Sequence, residues 1–198
     1  VHTPEHIEFV QDSGVYPVAL LAAGATVQAA ELSLTEPCMA LVRPPGHHAS
    51  ADSAWGFCYF NNIAIAITSL LRAGRIRSAY ILDIDLHFGD GTDNILGDRD
   101  DVIVHNVEAT KRDRYLQEVS QAMADCTADI IGISAGFDNH RDDWGTVLMT
   151  EDYCEIGRWA VQAAARNQGC CFAVLEGGYN HNILGDNVLA LINGMSEH

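Results

Sequence analysis

The sequence predicts an α/β fold: one three-layer αβα sandwich with a mostly parallel central sheet. Three observations carry this. Short, continuously apolar runs alternate with longer helix-like ones along the 198 residues, which is the pattern of βαβ units. The short runs lack the polar alternation of a half-exposed strand, so they suit strands covered on both faces. Apolar residues make up 48% and charged residues 19%, which suits a buried core and argues against a disordered chain. With no repeat, low-complexity tract or Pro/Ser-rich linker, residues 1–198 are expected to form a single domain.

The elements follow in order. Residues 17–33 (PVALLAAGATVQAAELS) are rich in Ala and Leu and read as a helix. Residues 38–43 (CMALVR) read as a buried strand stopped by Pro44-Pro45-Gly46. In 62–73 (NIAIAITSLLRA) the IAIAI run taken alone could be a strand, but the length and the Gly74 stop favour a helix. Residues 79–84 (AYILDI) and 102–105 (VIVH) read as strands, and 112–124 carries apolar positions at helical spacing. Residues 129–134 (DIIGIS) form the next strand. Thr150 is expected to cap a helix, with Glu151 and Asp152 in the first turn, where the helix dipole favours anions. That helix runs to about residue 168 with Gly169 as its stop. A strand at 171–175 and a helix at 183–194 complete the chain. Right-handed crossovers place helices on both faces of the sheet.

Eleven Lys+Arg against 27 Asp+Glu give a net charge of −16. Such a surface repels phosphate backbones and anionic lipid heads, so neither nucleic acid nor membrane is an expected partner. The longest apolar runs, such as 17–25, are too short to span a bilayer. No basic and apolar leader pattern opens the chain. The six cysteines include no C-x-x-C pair, so free thiols and a reducing, cytoplasmic setting are expected. Thiolate-held zinc is not.

The unusual polar residues follow the strands. CMALVR leads to His47-His48, and AYI leads to Asp83, Asp85, His87 and Asp90. DIIGIS leads to Asp138, and CFAVL leads to Glu176-Gly177-Gly178-Tyr179. In open α/β sheets, ligands bind at the carboxyl ends of strands. Four strands thus deliver His, Asp, His, Asp and Tyr to one edge.

Each signal has an ordinary reading beside the chemical one. Asp83, Asp85 and His87 lie on strand period and should share a face while the strand lasts. Helix-capping turns would account for Asp90 or Asp93, but an acid inside an apolar strand must be paired or bound to a cation. A His pair by itself is weak evidence; on a Pro/Gly loop facing acids it points to acid–base work. Asp138 taken alone reads more readily as a loop cap. Tyr179, after two glycines, reads as a packed aromatic or an aimed phenol. His2, His6, His140 and His181 are expected at the surface or in loops, and Cys58 as a buried thiol at the rim of the site. Two carboxylates and one imidazole can hold a divalent ion and leave a position for water, as catalytic zinc sites do, and Fe2+ or Co2+ suit the same ligands.

Five motifs stand in order: R-P-P-G-H-H-A at 43–49, G-F-C-Y-F-N-N at 56–62, L-D-I-D-L-H-F-G-D-G-T at 82–92, S-A-G-F-D at 134–138 and L-E-G-G-Y-N at 175–180. Together with H-T-P-E at 2–5 they resemble the zinc-dependent histone deacetylase family, which includes acetylpolyamine amidohydrolases and acetoin-utilisation proteins. The resemblance covers essentially the whole chain and implies the arginase/deacetylase-like form of the sandwich. It implies Asp85, His87 and Asp138 as metal ligands and His47 and His48 as catalytic histidines. Asp83 and Asp90 would support those histidines in turn, and Tyr179 would polarise the substrate carbonyl. Gly56, Phe57 and Gly177 would line the acyl-lysine channel. It also implies K+ held by Asp83, Asp85, the His87 carbonyl and Asn106. The implied activity removes acetyl or short acyl groups from lysine side chains of peptides or proteins, or from acetylated polyamines.

The chain departs from the family in two places. The stretch that usually precedes H-T-P-E is expected to be lacking, and Asn106 to Lys111 stands where the family has a long loop that supplies a second channel wall and part of a second K+ site. The site should be shallow, with Phe57 partly exposed, and a second subunit would cover it in a homo-oligomer. Two rivals are weighed. A dinuclear ureohydrolase needs D-x-H-x-D patterns, whereas this chain has D-x-D-x-H. A module that binds acyl-lysine without cleaving it has no need of a base and an oxyanion donor together.

Overall fold

The computed structural model describes residues 1–197. Five strands, β1 (Cys38–Ala40), β2 (Ala79–Asp83), β3 (Val102–Asn106), β4 (Ile130–Ala135) and β5 (Cys170–Leu175), form one all-parallel sheet in the order β1-β5-β4-β2-β3. The helices are α1 (Pro4–Asp12), α2 (Tyr16–Leu32), α3 (Asn62–Arg72), α4 (Asp90–Leu96), α5 (Arg112–Asp125), α6 (Thr150–Arg166) and α7 (Leu184–Met195). Alternate strand residues feed two cores. Tyr80, Leu82, Ile133 and Ala173 pack with Val119, Met123, Ile156, Ala160 and Leu191 from α5–α7. Ile81, Ile130, Phe172 and Val174 pack with Ala30, Ile63, Ile67 and Leu70 from α2 and α3. That is the expected three-layer αβα sandwich.

From β2 the chain crosses to β3 on one side, whereas from β4 it crosses to β5 on the other. The crevice between β2 and β4 is therefore the topological switch point, where open α/β sheets bind ligands.

Several expectations need correction. The strand expected at 38–43 ends at Ala40. It is an edge strand paired only with β5, over three residues, and the prolines beyond it have no N–H to donate. Thr150 is the first residue of α6 and not its cap; Met149 caps, with its N–H donated to Asp152 Oδ2 at 2.8 Å. The Thr150 hydroxyl is committed to Asn187 Oδ1, 2.8 Å away. After α6 the left-handed position is Gln168 at φ 56°, not Gly169. Gly169 is needed for close approach, because a Cβ there would overlap the Asp129 carbonyl oxygen.

Two helices were not expected. The seven-residue α4 (DGTDNIL) is poor in helix formers. Helix α1 carries Pro4 in its first turn and Thr3 as cap, accepting the His6 N–H at 3.2 Å. His6 is buried within α1, contrary to expectation, whereas His2 and His140 lie in loops as expected, His140 buried there and His2 largely so. Backbone groups satisfy them. His6 Nε2 donates to the Tyr59 carbonyl at 2.7 Å, His2 Nε2 accepts the Asn61 N–H at 3.0 Å, and His140 Nδ1 accepts the Asp142 N–H at 3.0 Å. Burial and the neighbouring His6 lower His2 to about 4, which suits a ring nitrogen that accepts. His181 is exposed, as expected.

A cavity of about 750 Å3 among α1, α2 and α3 is lined by residues such as Leu20, Val27 and Phe60 and holds none of the strand-end polar residues. Its lining is mostly apolar, with His2, Thr68, Ser69 and Arg72 the polar residues on it, and it contains no carboxylate. Among the described residues, no helix is long and apolar enough to cross a membrane.

Candidate active site

The strand-end residues converge at the switch point, by a route the strand period did not foresee. Strand β2 stops at Asp83. Beyond it the side chains grip the backbone that follows. Asp83 Oδ1 accepts the Asp85 N–H at 3.0 Å, and Asp85 Oδ1 accepts the His87 N–H at 2.9 Å. Two successive Asx turns, not a strand face, deliver Asp85 and His87. From β4, Asp138 Oδ1 accepts the Leu86 N–H at 3.0 Å and ties the two strand ends together.

Asp85, His87 and Asp138 each present a ligand atom within 4.8 Å of the others. His87 Nδ1 lies 3.1 Å from both Asp85 Oδ1 and Asp138 Oδ2. Asp138 Oδ2 is nonetheless buried without a hydrogen-bond partner. Burial and the charge of Asp85 push the Asp138 carboxyl up to about 7. Burial works the same way on Asp85, but hydrogen bonds from His87 and Gly177 and the charge of His47 outweigh it, leaving that group at about 2. The cluster thus holds two buried carboxylates in mutual repulsion, an orphaned oxygen and an imidazole nitrogen aimed between them. A divalent cation relieves all three at once, and the donor set fits one.

Glycines let the elements close on this cluster. A Cβ on Gly177 would lie 2.5 Å from Asp85 Oδ2 and 2.8 Å from Asp138 Oδ2. The Gly177 N–H instead donates to Asp85 Oδ2 at 2.8 Å, so this residue backs the carboxylates.

Two His–Asp pairs flank the cluster. His47 Nδ1 donates to Asp83 Oδ2 at 2.9 Å, and His48 Nδ1 donates to Asp90 Oδ1 at 2.6 Å. Their surroundings separate them. Burial alone would lower His47, but the charge and hydrogen bond of Asp83 raise it well above its ordinary value. Burial and the charge on His47 lower His48 in spite of Asp90. The two rings lie 4.1 Å apart. Their surroundings thus push the two rings in opposite directions, His47 toward its charged form and His48 toward its neutral one.

Of the residues assigned to a channel, Gly56 and Phe57 stand at the rim, whereas Gly177 is buried behind the carboxylates. Phe57 adopts a positive φ of 67° and is 67% exposed. A Cβ on Gly56 would lie 2.5 Å from the His48 ring, which makes glycine necessary there. Tyr179 lies 6.3 Å from Phe57, ring to ring. Burial and the charges of Asp85 and Asp138 raise its phenol to about 12, so it keeps its proton. Asn106 accepts the Gly89 N–H at 2.7 Å, and its register partner is Asp83. Cys58 is buried, with its thiol raised chiefly by burial, which leaves it no nucleophilic role. All six cysteines are free.

Three contributors escaped the sequence reading. Glu176 is fully buried at the end of β5; its Oε2 accepts the Gly46 and His47 N–H groups at 2.7 and 3.1 Å and so fixes the His47-His48 loop. The argument that singled out Asp83, an acid closing an apolar strand, applies to Glu176 as well. Trp55 stacks on His48 at 3.9 Å and donates its indole N–H to Asp90 Oδ2 at 2.9 Å. Trp144 stacks on Tyr179 at 3.9 Å. An aromatic residue in a polar loop carries no sequence signature of such contacts.

The chain is similar to known proteins. A family model described as histone deacetylase domain matches residues 2–115 and 107–195. A probable deacetylase of Archaeoglobus fulgidus is 33% identical, over 91% of this chain and 65% of its own length. A probable deacetylase of Methanothermobacter thermautotrophicus is 29% identical, over 98% of this chain and 74% of its own length. Acetylpolyamine amidohydrolase 2 of Pseudomonas aeruginosa is 30% identical, over 78% of this chain and 54% of its own length. The solved HDA15 HD domain superposes with a TM-score of 0.85 at 26% identity, over 97% of this chain and 70% of that one. The chain thus spans between about half and three quarters of the length of these relatives.

Proposed function

The chain belongs to the histone deacetylase family, and we propose that it is a metal-dependent amidohydrolase that removes acetyl or short acyl groups from lysine side chains or related amines. One observation carries the reading: three ligand atoms within 4.8 Å of one another lie beside two histidines, each hydrogen-bonded to its own aspartate. Asp85, His87 and Asp138 would hold the ion, zinc first among the candidates. When bound, it supplies Lewis acidity to the acyl carbonyl and acidity to a water molecule.

The protein groups handle the protons. His48, oriented by Asp90, takes a proton from the attacking water and hands it to the leaving amine as the amide C–N bond breaks. His47, held charged by Asp83, stabilises the negative centre. Tyr179 keeps its proton and donates it in a hydrogen bond to the oxyanion that forms at the former carbonyl. The acidic surface steers cationic peptides or polyamines toward the site.

The test pairs metal analysis with turnover of acetyl-lysine peptides and acetylpolyamines. Asp138→Ala should lose most of the bound metal. Tyr179→Phe should keep metal and fold while kcat falls by about 10²–10³, the usual cost of one oxyanion donor. Full metal retention in the first variant, or wild-type turnover in the second, would remove those residues from their roles. Metal binding with no turnover of either substrate class by the wild type would favour an acyl-lysine binding module instead.

A further inference from the structure

Tyr179 has no evident means of its own for aiming its phenol. It lies in the irregular segment after β5, behind Gly177 and a Gly178 at φ 127°, where the backbone is least constrained. Its ring must therefore be held from outside.

The loop after β4 does this in two ways. The Asp143 carboxylate holds the backbone: its Oδ2 accepts the N–H groups of both Tyr179 and Asn180, at 2.8 and 2.7 Å. Trp144 meets the ring, stacked at 3.9 Å between centroids with 15° between planes. Its other neighbour is His87, edge-on at 6.0 Å and 86°. The loop that carries it is itself anchored. The Trp144 N–H donates to Asp143 Oδ1 at 2.9 Å, and the Gly145 N–H donates to the Asp138 carbonyl at 2.7 Å. The indole is thus referenced to the cluster that the phenol must face. Trp144 is 58% exposed, so the core does not depend on it.

We propose that Trp144 is a positioning residue for Tyr179: its indole face holds the phenol ring in the orientation that presents the hydroxyl to the reacting carbonyl. The inference rests on the reading of Tyr179 as oxyanion donor. It adds a loop residue that acts through the phenol and has no role of its own in metal binding or proton transfer. A stacked aromatic neighbour biases ring orientation by about tenfold, and the rate should follow that population.

Two measurements test it. In ring-labelled protein, NMR signals of Tyr179, assigned by their absence in Tyr179→Phe, should carry an indole ring-current shift. The shift should vanish in Trp144→Leu and persist largely in Trp144→Phe, while the signals of the other five tyrosines stay in place. With an acetyl-lysine peptide as the probe, kcat of Trp144→Leu should fall about tenfold at little change in KM. Trp144→Phe should recover most of the rate. In a Tyr179→Phe background, Trp144→Leu should cost nothing further, because the group it positions is gone.

An unchanged Tyr179 signal in Trp144→Leu overturns the proposal. So does a loss of rate that persists in the Tyr179→Phe background, which would place Trp144 against the substrate itself. A Tyr179→Phe variant with wild-type kcat would sink the oxyanion reading first, and this inference with it.

Discussion

Gly136 is packed directly against the Asp85–His87–Asp138 cluster, and Gly136→Ala tests whether the shape of that cluster depends on it. Gly136 follows β4 and backs directly onto Asp85. A Cβ at this position would overlap Asp85 Oδ2 and Cα and lie 2.5 Å from Asp85 Cβ. Carbon atoms in contact settle at about 3.5–4.0 Å, so Asp85 must retreat by about 1 Å or more. It cannot retreat freely. Its Oδ2 accepts the Gly177 N–H at 2.8 Å and its Oδ1 accepts the His87 N–H at 2.9 Å. Overpacking of this kind costs about 1–3 kcal/mol, or a fall of about 2–12 °C in Tm for a chain of this size. Metal binding is the more sensitive readout. Ligand distances hold to within about 0.2 Å, so a displacement several times larger should weaken affinity at least as much as losing an outer hydrogen bond does, about 10–100-fold. The assay is calorimetric titration of Zn2+ into chelator-stripped protein, with melting of the stripped proteins alongside. A Gly136→Ala protein that binds Zn2+ like the wild type and melts within about 1 °C of it would refute the packing argument.

Two further predictions need no substrate. Burial pushes the Glu176 carboxyl up to about 7 from an ordinary 4.5. A raised acid binds its proton more tightly when folded, so its contribution is lost as pH rises through the interval between these values and is largely gone above about 7. Relative to Glu176→Gln, which keeps an acceptor for the Gly46 and His47 N–H groups, the wild type should lose up to about 3 kcal/mol between pH 4.5 and 7; a difference of opposite sign in urea titrations would rule this out. Gly24 is exposed within α2, and nothing lies within 4 Å of a Cβ there, so Gly24→Ala should stabilise by about 0.5–1 kcal/mol and raise Tm by about 1–4 °C. A lower Tm would mean that α2 is not packed as described.

The ligand set and the roles of His47, His48 and Tyr179 came from the resemblance of the motifs; what the residues alone offered rested largely on one physical rule, that a charge in an apolar strand needs a partner. The rule found Asp83, whose partner is His47, and it would have found Glu176 had it been applied there. It had no purchase on His6 and His140, because a histidine can be buried whenever backbone groups satisfy its ring. It could not see Trp55 or Trp144, whose roles come from stacking between loops distant in sequence. Strand lengths were legible to within about a residue except at β1, where the apolar run continues to Arg43 but pairing with β5 covers only three residues.

Strand order is not written in any local pattern, yet the proposed chemistry constrains it. Adjacent strands lie about 4.8 Å apart, and the ligand atoms from the ends of β2 and β4 lie within 4.8 Å of each other. One intervening strand would add a further spacing of about 4.8 Å and put Asp138 out of reach of an ion that binds at about 2 Å. Reading Asp85, His87 and Asp138 as one ligand set is therefore already a claim that β2 and β4 are neighbours. The observed pairing of Ala79–Asp83 with Ile130–Ser134 meets that claim. Each of these strands then hands its crossover to the opposite side, to β3 and to β5, and this divergence opens the crevice in which the ligands stand. Ligand set and sheet topology are thus one constraint seen from two ends.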